Sequence, residues 1–263
     1  MTKRTKFSSL SATLALAIAA TAPAATVIWD GGGGDTDWNN AANWGGDNPD
    51  TLPAAGDTVI IGSGNTVAKE NNLPGGITLN LDGVLTNAGL GAIRMNGATI
   101  TVGSTGEMAG GFWDLDDATI TFENGAKYTA GHWENKDVNA FTFELGASGF
   151  STLTPANFWI GAGATHNPGS IVNASYTVDM AAYAGGTGVI TLVDYGTDNA
   201  SMDNATFQTA TLNVINAGGY TANLQWNETT EAVELNVTGI PEPSSVLLLG
   251  LGGVALAWRR RPG

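Results

Sequence analysis

The strongest constraint on the fold is a short unit, apolar-Thr-apolar, that recurs at a nearly constant interval along the chain. It occurs as Ile77-Thr78-Leu79, Ile100-Thr101-Val102, Ile120-Thr121-Phe122 and Phe141-Thr142-Phe143. A second marker follows the last three units as GGFW, AGHW and ANFW, which end at Trp113, Trp133 and Trp159. A period of roughly 20 residues with a strand in each repeat predicts a β-solenoid.

Alternation along the strands predicts which side chains form the core, because neighbouring side chains on a strand point to opposite faces. One set is expected to point inward, where each coil buries its apolar side against the next: Ile100, Val102, Ile120, Phe122, Phe141 and Phe143. The intervening Thr101, Thr121 and Thr142 are expected to point outward. The predicted fold class is all-β, and the alternative is an antiparallel sandwich of hairpins of similar length.

Residues 27–61 are expected to form an N-terminal cap on the solenoid. This segment contains Trp29, Trp38 and Trp44 within a Gly-, Asp- and Asn-rich stretch. It resembles the opening segment that precedes β-solenoid passengers in bacterial surface proteins. We expect the three tryptophans to cover the open end of the core.

Residues 1–24 have the organisation of a Sec-type signal peptide. Basic residues near the N-terminus are followed by an apolar stretch, Leu10–Ala20, and then by the small-residue run Ala22-Pro23-Ala24. This order of regions predicts cleavage after Ala24, so that Ala25 becomes the first residue of the mature protein.

The C-terminal segment, residues 240–263, combines a hinge, an apolar run and a basic cluster. Pro241, Glu242 and Pro243 precede the run Ser244–Trp258, which contains no charged side chain. The chain then continues with three arginines, Arg259, Arg260 and Arg261. As a helix the apolar run would be about 22 Å long, shorter than the ~30 Å core of a bilayer. Arginine flanks remain cytoplasmic, so we expect a short membrane helix that stops export transiently.

These three parts, in this order, resemble the PEP-CTERM protein-sorting signal. The resemblance implies recognition by exosortase, a membrane protease that cleaves near the Pro-Glu-Pro and releases or re-anchors its substrate at the cell surface. It also implies a Gram-negative bacterium that makes exopolysaccharide. The same tail is catalogued as an ice-binding-protein C-terminal domain, a label that describes the tail and leaves the body's activity open.

The body between the two terminal segments is divided into a solenoid with its cap at 25–168 and a C-terminal β region at 169–239. The second part is rich in short alternating runs, such as GVITLVDYG and AVELNVTG. It resembles the terminal β region of PEP-CTERM and autotransporter-like exported proteins.

The mature body is strongly acidic and lacks cysteine. Its only basic residues are Lys69, Arg94, Lys127 and Lys136, against 23 acidic ones, which gives a formal charge of −19. Such a charge repels nucleic acid and anionic lipid headgroups, so no nucleic-acid partner is expected. The absence of cysteine excludes disulfides, thiol catalysis and thiolate metal sites.

No catalytic signature is present in the sequence, and we expect no enzymatic activity. The chain has no GxSxG, HExxH, P-loop or EF-hand pattern. A polysaccharide lyase or hydrolase is the weaker alternative. Asp114, Asp116 and Asp117 would supply its carboxylates, and a lyase would also need Arg94, Lys127 or Lys136 beside an acid.

Three binding hypotheses arise from side chains alone. Trp113, Trp133 and Trp159 would form a ladder that stacks on sugar rings if they were exposed, and would fill the core if they were not. Asp-rich loops such as DTDWNN at 35–40 would suit calcium, although clustered Asp and Asn also stabilise turns. Apart from calcium, no cofactor is expected.

The third hypothesis concerns threonines. Thr99, Thr101, Thr119 and Thr121 give two T-x-T pairs, an arrangement that would order water and bind ice. The next coil has Ala140 in the first position, which breaks the array.

The sequence as a whole favours a secreted, non-catalytic surface or matrix protein associated with exopolysaccharide. A carbohydrate-binding module is the alternative.

Overall fold

The computed structural model describes residues 23–135, 139–155, 157–159, 174–195 and 204–239. Almost all of the predicted signal peptide and the whole of the sorting segment lie outside these ranges. Within them the chain is nearly all β, with one 3₁₀ turn at Ala41–Asn43 and one helical turn, α1, at Asn204–Phe207.

Nine strands form the larger sheet. They are β1 (Thr26–Trp29), β2 (Trp44–Gly46), β3 (Thr58–Ile61), β5 (Thr78–Leu81), β7 (Thr99–Val102), β9 (Thr119–Phe122), β11 (Ala140–Glu144), β13 (Ser175–Asp179) and β15 (Thr211–Ile215). Their order is β15-β13-β11-β9-β7-β5-β3-β1-β2. Every neighbouring pair is parallel except β1 and β2.

Five strands form the second sheet, which is parallel throughout. They are β4 (Thr66–Lys69), β6 (Val84–Asn96), β8 (Glu107–Asp116), β10 (Lys127–Asn135) and β12 (Asn157–Trp159), in the order β12-β10-β8-β6-β4. From β3 to β12 the chain alternates between the two sheets, so each coil contributes one strand to each. The result is the predicted β-solenoid. The hairpin sandwich is not observed, since its strand pairs would be antiparallel.

The predicted inward and outward faces are confirmed. All six residues expected in the core have exposed fractions of at most 2%. The Phe122 and Phe143 rings stack between adjacent coils, with centroids 6.0 Å apart. Thr101, Thr121 and Thr142 lie on the opposite face and are partly exposed.

One repeat unit is displaced from the register that its sequence suggests. Thr78 pairs with Thr99 of the next coil, and Asn80 takes the position opposite Thr101. The first unit is therefore offset by two positions, which explains why it lies farther from the second unit than the later units lie from one another. Because side chains alternate with a period of two, this offset leaves its apolar residues on the core face.

The three tryptophans of the expected N-terminal cap form one buried cluster. Trp29 and Trp38 each contact Trp44 edge to face, with centroids 5.0 and 4.7 Å away, and all three side chains are buried. The Trp44 indole donates a hydrogen bond to the Trp38 carbonyl at 2.8 Å. The cap also covers the edge of β4, where Asp37 forms a bridge with Ala68. Covering this edge protects its backbone groups from pairing with other chains.

A third, antiparallel sheet completes the described chain. It consists of β14 (Gly188–Asp194), β17 (Ala232–Gly239) and β16 (Thr221–Asn227) in that order. The strands β13 and β15 lie C-terminal to the predicted domain boundary between residues 168 and 169. They nevertheless belong to the nine-stranded sheet of the solenoid. Among the described residues no helix is long and apolar enough to cross a membrane. The structure therefore gives no support to the expected C-terminal membrane helix, which falls within 240–263.

Candidate functional site

The sorting residues Pro241, Glu242, Pro243 and Arg259–Arg261 lie outside the described residues. The chain leads to them directly from β17, the central strand of the three-stranded sheet. This strand is hydrogen-bonded to β14 on one side and β16 on the other. The strand that leads to the sorting residues is therefore fixed in the body by two ladders of backbone hydrogen bonds.

Trp113 is buried inside the solenoid. Its exposed fraction is 0%, and its indole nitrogen donates to the Ala109 carbonyl at 3.2 Å. The neighbouring Phe112 is only half-buried, so within this pair the tryptophan belongs to the core. A sugar cannot reach Trp113 in this conformation.

The three tryptophans do not share one register position. Trp113 of β8 pairs with Trp133 of β10, as the spacing predicts. Trp133 in turn pairs with Phe158, and Trp159 pairs with Glu134. The side chains of Trp133 and Trp159 are outside the described part of the chain, so their role in sugar stacking stays a prediction.

Arg94 and Asp114 form an ion pair between adjacent strands. The Arg94 Nε lies 3.1 Å from the Asp114 Oδ2, and the two residues are register partners in β6 and β8. The Asp114 side chain is 1% exposed, whereas that of Arg94 is 50% exposed. A buried carboxylate held by an arginine is an ordinary structural pairing, and this one faces no described cleft.

A cleft of about 390 Å³ lies near the C-terminal end of the nine-stranded sheet. Its lining consists of Gln208, Leu212, Val214, Ala222, Asn223 and Leu224. None of these side chains is titratable, so the cleft offers no acid or base for catalysis. The absence of enzymatic activity stays a prediction.

The Asp-rich loop of the cap makes internal hydrogen bonds. Asn43 and Asn40 donate to the two Asp35 carboxylate oxygens at 2.6 and 2.8 Å, and the Asp37 amide donates to the same carboxylate at 3.0 Å. These bonds lower the pKa of Asp35, with Asn43 contributing most. Where the chain is described, no group of three or more Asp, Glu, His or Cys side chains is arranged to hold a metal. Calcium binding therefore stays an untested hypothesis.

The outer side of the nine-stranded sheet carries two rows of mostly small polar side chains, interrupted by Ala140 and by Ile28 and Ile60, which we call the hydroxyl face. The first row is Thr26, Thr58, Thr78, Thr99, Thr119, Ala140, Ser175 and Thr211. The second is Ile28, Ile60, Asn80, Thr101, Thr121, Thr142, Thr177 and Asn213. Each row runs from strand to strand along the solenoid axis.

Most of the hydroxyl face was missed in the sequence, where only two T-x-T pairs stood out. Thr58, Thr78, Thr99 and Thr119 recur every 20 or 21 residues, but Thr26 lies 32 residues before Thr58, and Ser175 and Thr211 lie beyond long insertions. A usable signal was nevertheless present, because β3, β5, β7, β9 and β15 each begin with Thr followed by an apolar residue. Aligning these segments at the first residue of each strand places their threonines in the first row of the hydroxyl face.

An acidic margin borders the hydroxyl face at the ends of three adjacent strands. Glu123 directly follows β9, and Glu144 of β11 pairs with Asp179 of β13. Partial burial raises the pKa of Glu144, and the carboxylates of Glu123 and Asp179 raise it further. The margin is thus a row of like charges beside a row of neutral hydroxyls.

Comparison with known proteins identifies the C-terminal segment alone. Residues 239–261 match the PEP-CTERM protein-sorting motif. This motif implies recognition by exosortase, a membrane enzyme, and sorting to the cell surface or extracellular space. No curated protein and no solved structure matches the chain.

Proposed function

We propose that this protein is a non-catalytic component of the cell surface or extracellular matrix, associated with exopolysaccharide and delivered there by an exosortase. The observation that carries the proposal is the match of residues 239–261 to the PEP-CTERM motif, which begins at the final residue of β17. In this scheme Ser244–Trp258 holds the chain transiently in the inner membrane. Arg259–Arg261 stay on the cytoplasmic side, and cleavage near Pro241-Glu242-Pro243 releases the body.

The body suits an extracellular structural role. Parallel strands stack along both sheets, so each coil is stabilised by backbone hydrogen bonds to its neighbours and by a continuous apolar core. This stability needs no disulfide, since the chain contains no cysteine. The repeated coil also presents the same surface several times, which suits contact with a polymer.

The charge of the body favours a neutral polysaccharide as its partner. A formal charge of −19 repels polyanionic glycans at low salt. Recognition of a polyuronate would need a basic surface, and the body has only four basic residues. A neutral glycan carries no such penalty.

Mass spectrometry of the secreted protein from its host tests the sorting step. The expected mature form begins at Ala25 and ends near Pro241-Glu242-Pro243. A secreted form that is intact through Gly263 would overturn the proposal. The variant Glu242→Gln should accumulate uncleaved in the membrane fraction, whereas the matched variant Glu70→Gln, at an exposed site on the body, should be processed normally.

Fractionation of the same cells tests the association with exopolysaccharide. The processed protein should remain with the matrix in a polysaccharide-producing strain and appear in the medium of a strain that makes none. The chain length of the purified polysaccharide should not change on incubation with the protein. Shortened chains would show that the protein is an enzyme, and equal release from both strains would exclude the association.

A further inference from the structure

The hydroxyl face is neutral although the protein is strongly acidic. Neither of its rows contains an ionisable residue between β1 and β15. The body's formal charge of −19 is therefore carried elsewhere, including the acidic margin. A face of this kind is complementary to an uncharged surface and not to a cation or an anionic polymer.

The hydroxyl groups of this face are available to an external ligand. Thr99, Thr101, Thr119, Thr121 and Thr142 form no hydrogen bond through their hydroxyls to any other described residue. In contrast, the Thr177 hydroxyl accepts a bond from Asn213, at 3.4 Å. Each free hydroxyl offers one donor and two acceptor positions to water.

The face repeats in two dimensions. Neighbouring strands of a sheet lie about 4.8 Å apart, and residues i and i+2 of one strand lie about 6.6 Å apart. Eight strands from β1 to β15 therefore extend the two rows for about 34 Å. Hydroxyls occupy both rows in β7, β9 and β13, whereas Ala140 interrupts the first row and the second row also contains Ile28, Ile60, Asn80 and Asn213. The threonine side chain is β-branched and stiff at χ1, so its hydroxyl and methyl groups keep these spacings without a further loss of entropy.

We propose that the hydroxyl face binds ice. Regularly spaced hydroxyls hold water molecules at fixed positions, and the methyl groups between them confine these waters to a layer. Such a layer joins a growing ice surface as part of its lattice, whereas a flexible charged side chain would disturb it. This inference rests on the body alone and is independent of how the tail is processed.

The composition of the face distinguishes ice from other neutral occupants. Sugar rings are usually held by aromatic side chains, and neither row contains one. Face-to-face packing with a second copy of the chain would need interdigitating apolar side chains. The rows supply only Ile28 and Ile60 of this type, both at the N-terminal end.

Incorporation into slowly grown polycrystalline ice is the direct test, with the secreted mature protein as the sample. The wild-type protein should be enriched in the ice fraction and should slow the recrystallisation of small ice grains. The variant Thr121→Lys places a flexible charge at the centre of the face. It should reduce the incorporated fraction at least about tenfold, equivalent to ~1.4 kcal/mol of binding free energy.

The matched control is Thr129→Lys, which introduces the same charge on the outer side of the five-stranded sheet, where Thr129 is exposed. It should behave as the wild type, and circular dichroism should show that both variants are folded. Exclusion of the wild-type protein from ice would overturn the proposal, as would equal loss in the two variants.

Two further measurements test the alternative partners of the hydroxyl face, a neutral glycan and a second copy of the chain. Sedimentation with crystalline cellulose reports a neutral glycan, and gel filtration reports a second copy. If Thr121→Lys abolishes either of these interactions and leaves incorporation into ice unchanged, the face binds that occupant and the ice proposal is wrong.

Discussion

The Phe143 ring stacks on the Phe122 ring of the preceding coil, with an interplanar angle of 19° and both side chains fully buried. The two residues are register partners in β9 and β11. This contact is the clearest case in which one coil supplies the apolar surface that the next coil needs. Stability should therefore depend on such columns and much less on the residues between them.

The variant Phe143→Ala should lower the free energy of unfolding by about 3–5 kcal/mol, because it leaves a cavity between two coils. The neighbouring Thr142→Ala, on the outer face, should cost less than about 1 kcal/mol. Urea unfolding followed by circular dichroism measures both. Equal losses in the two variants would mean that the coils are not held together by their cores.

The hydrogen bond of the Trp44 indole should stabilise the cap. Trp44→Phe removes this donor and leaves the Trp38 carbonyl without it, which should cost about 1–3 kcal/mol in addition to the lost volume. Trp226→Phe is a matched control. Its indole nitrogen is buried and has no hydrogen-bond partner within the described structure. The control should be less destabilised in thermal melts, and the reverse order would contradict the assigned bond.

Arg94 and Asp114 should be energetically coupled. Each of Arg94→Gln and Asp114→Asn should destabilise the fold by about 1–3 kcal/mol, because each leaves its partner less well paired. The double variant should lose less than the sum of the two, by about 0.5–3 kcal/mol. Glu107 and Lys127 are also register partners but form no ion pair in the described structure. Their double-mutant cycle should give a coupling of about 0–1 kcal/mol.

Glu144 should make stability fall as the pH rises through the pKa of its carboxyl group. Its pKa is raised in the folded state, by partial burial and by the Glu123 and Asp179 carboxylates. The folded protein therefore binds this proton more tightly than the unfolded chain does, and the ionised form destabilises the fold above the raised pKa. Glu144→Gln should raise the melting temperature at pH 7 and have little effect at pH 3. Glu70→Gln serves as the control, and a lower melting temperature for Glu144→Gln at pH 7 would contradict this expectation.

Removal of divalent metals should leave the cap intact. The Asp35 carboxylate already accepts hydrogen bonds from Asn40, Asn43 and the Asp37 amide. A chelator should therefore not change the melting temperature or the fluorescence of the buried cap tryptophans. A clear loss of stability with a chelator, reversed by calcium, would show instead that the loop binds this ion.

Local patterns were sufficient to predict the solenoid, the two faces of its strands and the tryptophan cap. These features depend on alternation within single short strands, and that alternation is visible in segments such as Thr119–Phe122. The face assignment also tolerates a register error of two positions, as the displaced unit at Thr78 demonstrates. The sorting segment was equally readable, because it consists of consecutive residues.

Relationships across long insertions were decided only by the tertiary structure. Thr142 and Thr177 are register partners although a long insertion separates them along the chain, and no local pattern determines where a strand rejoins its sheet after such an insertion. The same is true of Trp159, which pairs with Glu134 and not with Trp133. The sequence by itself therefore determined which residues face the core and where the protein is sent. Strand register, which depends on backbone pairing between distant segments, decided which outward residues form one surface.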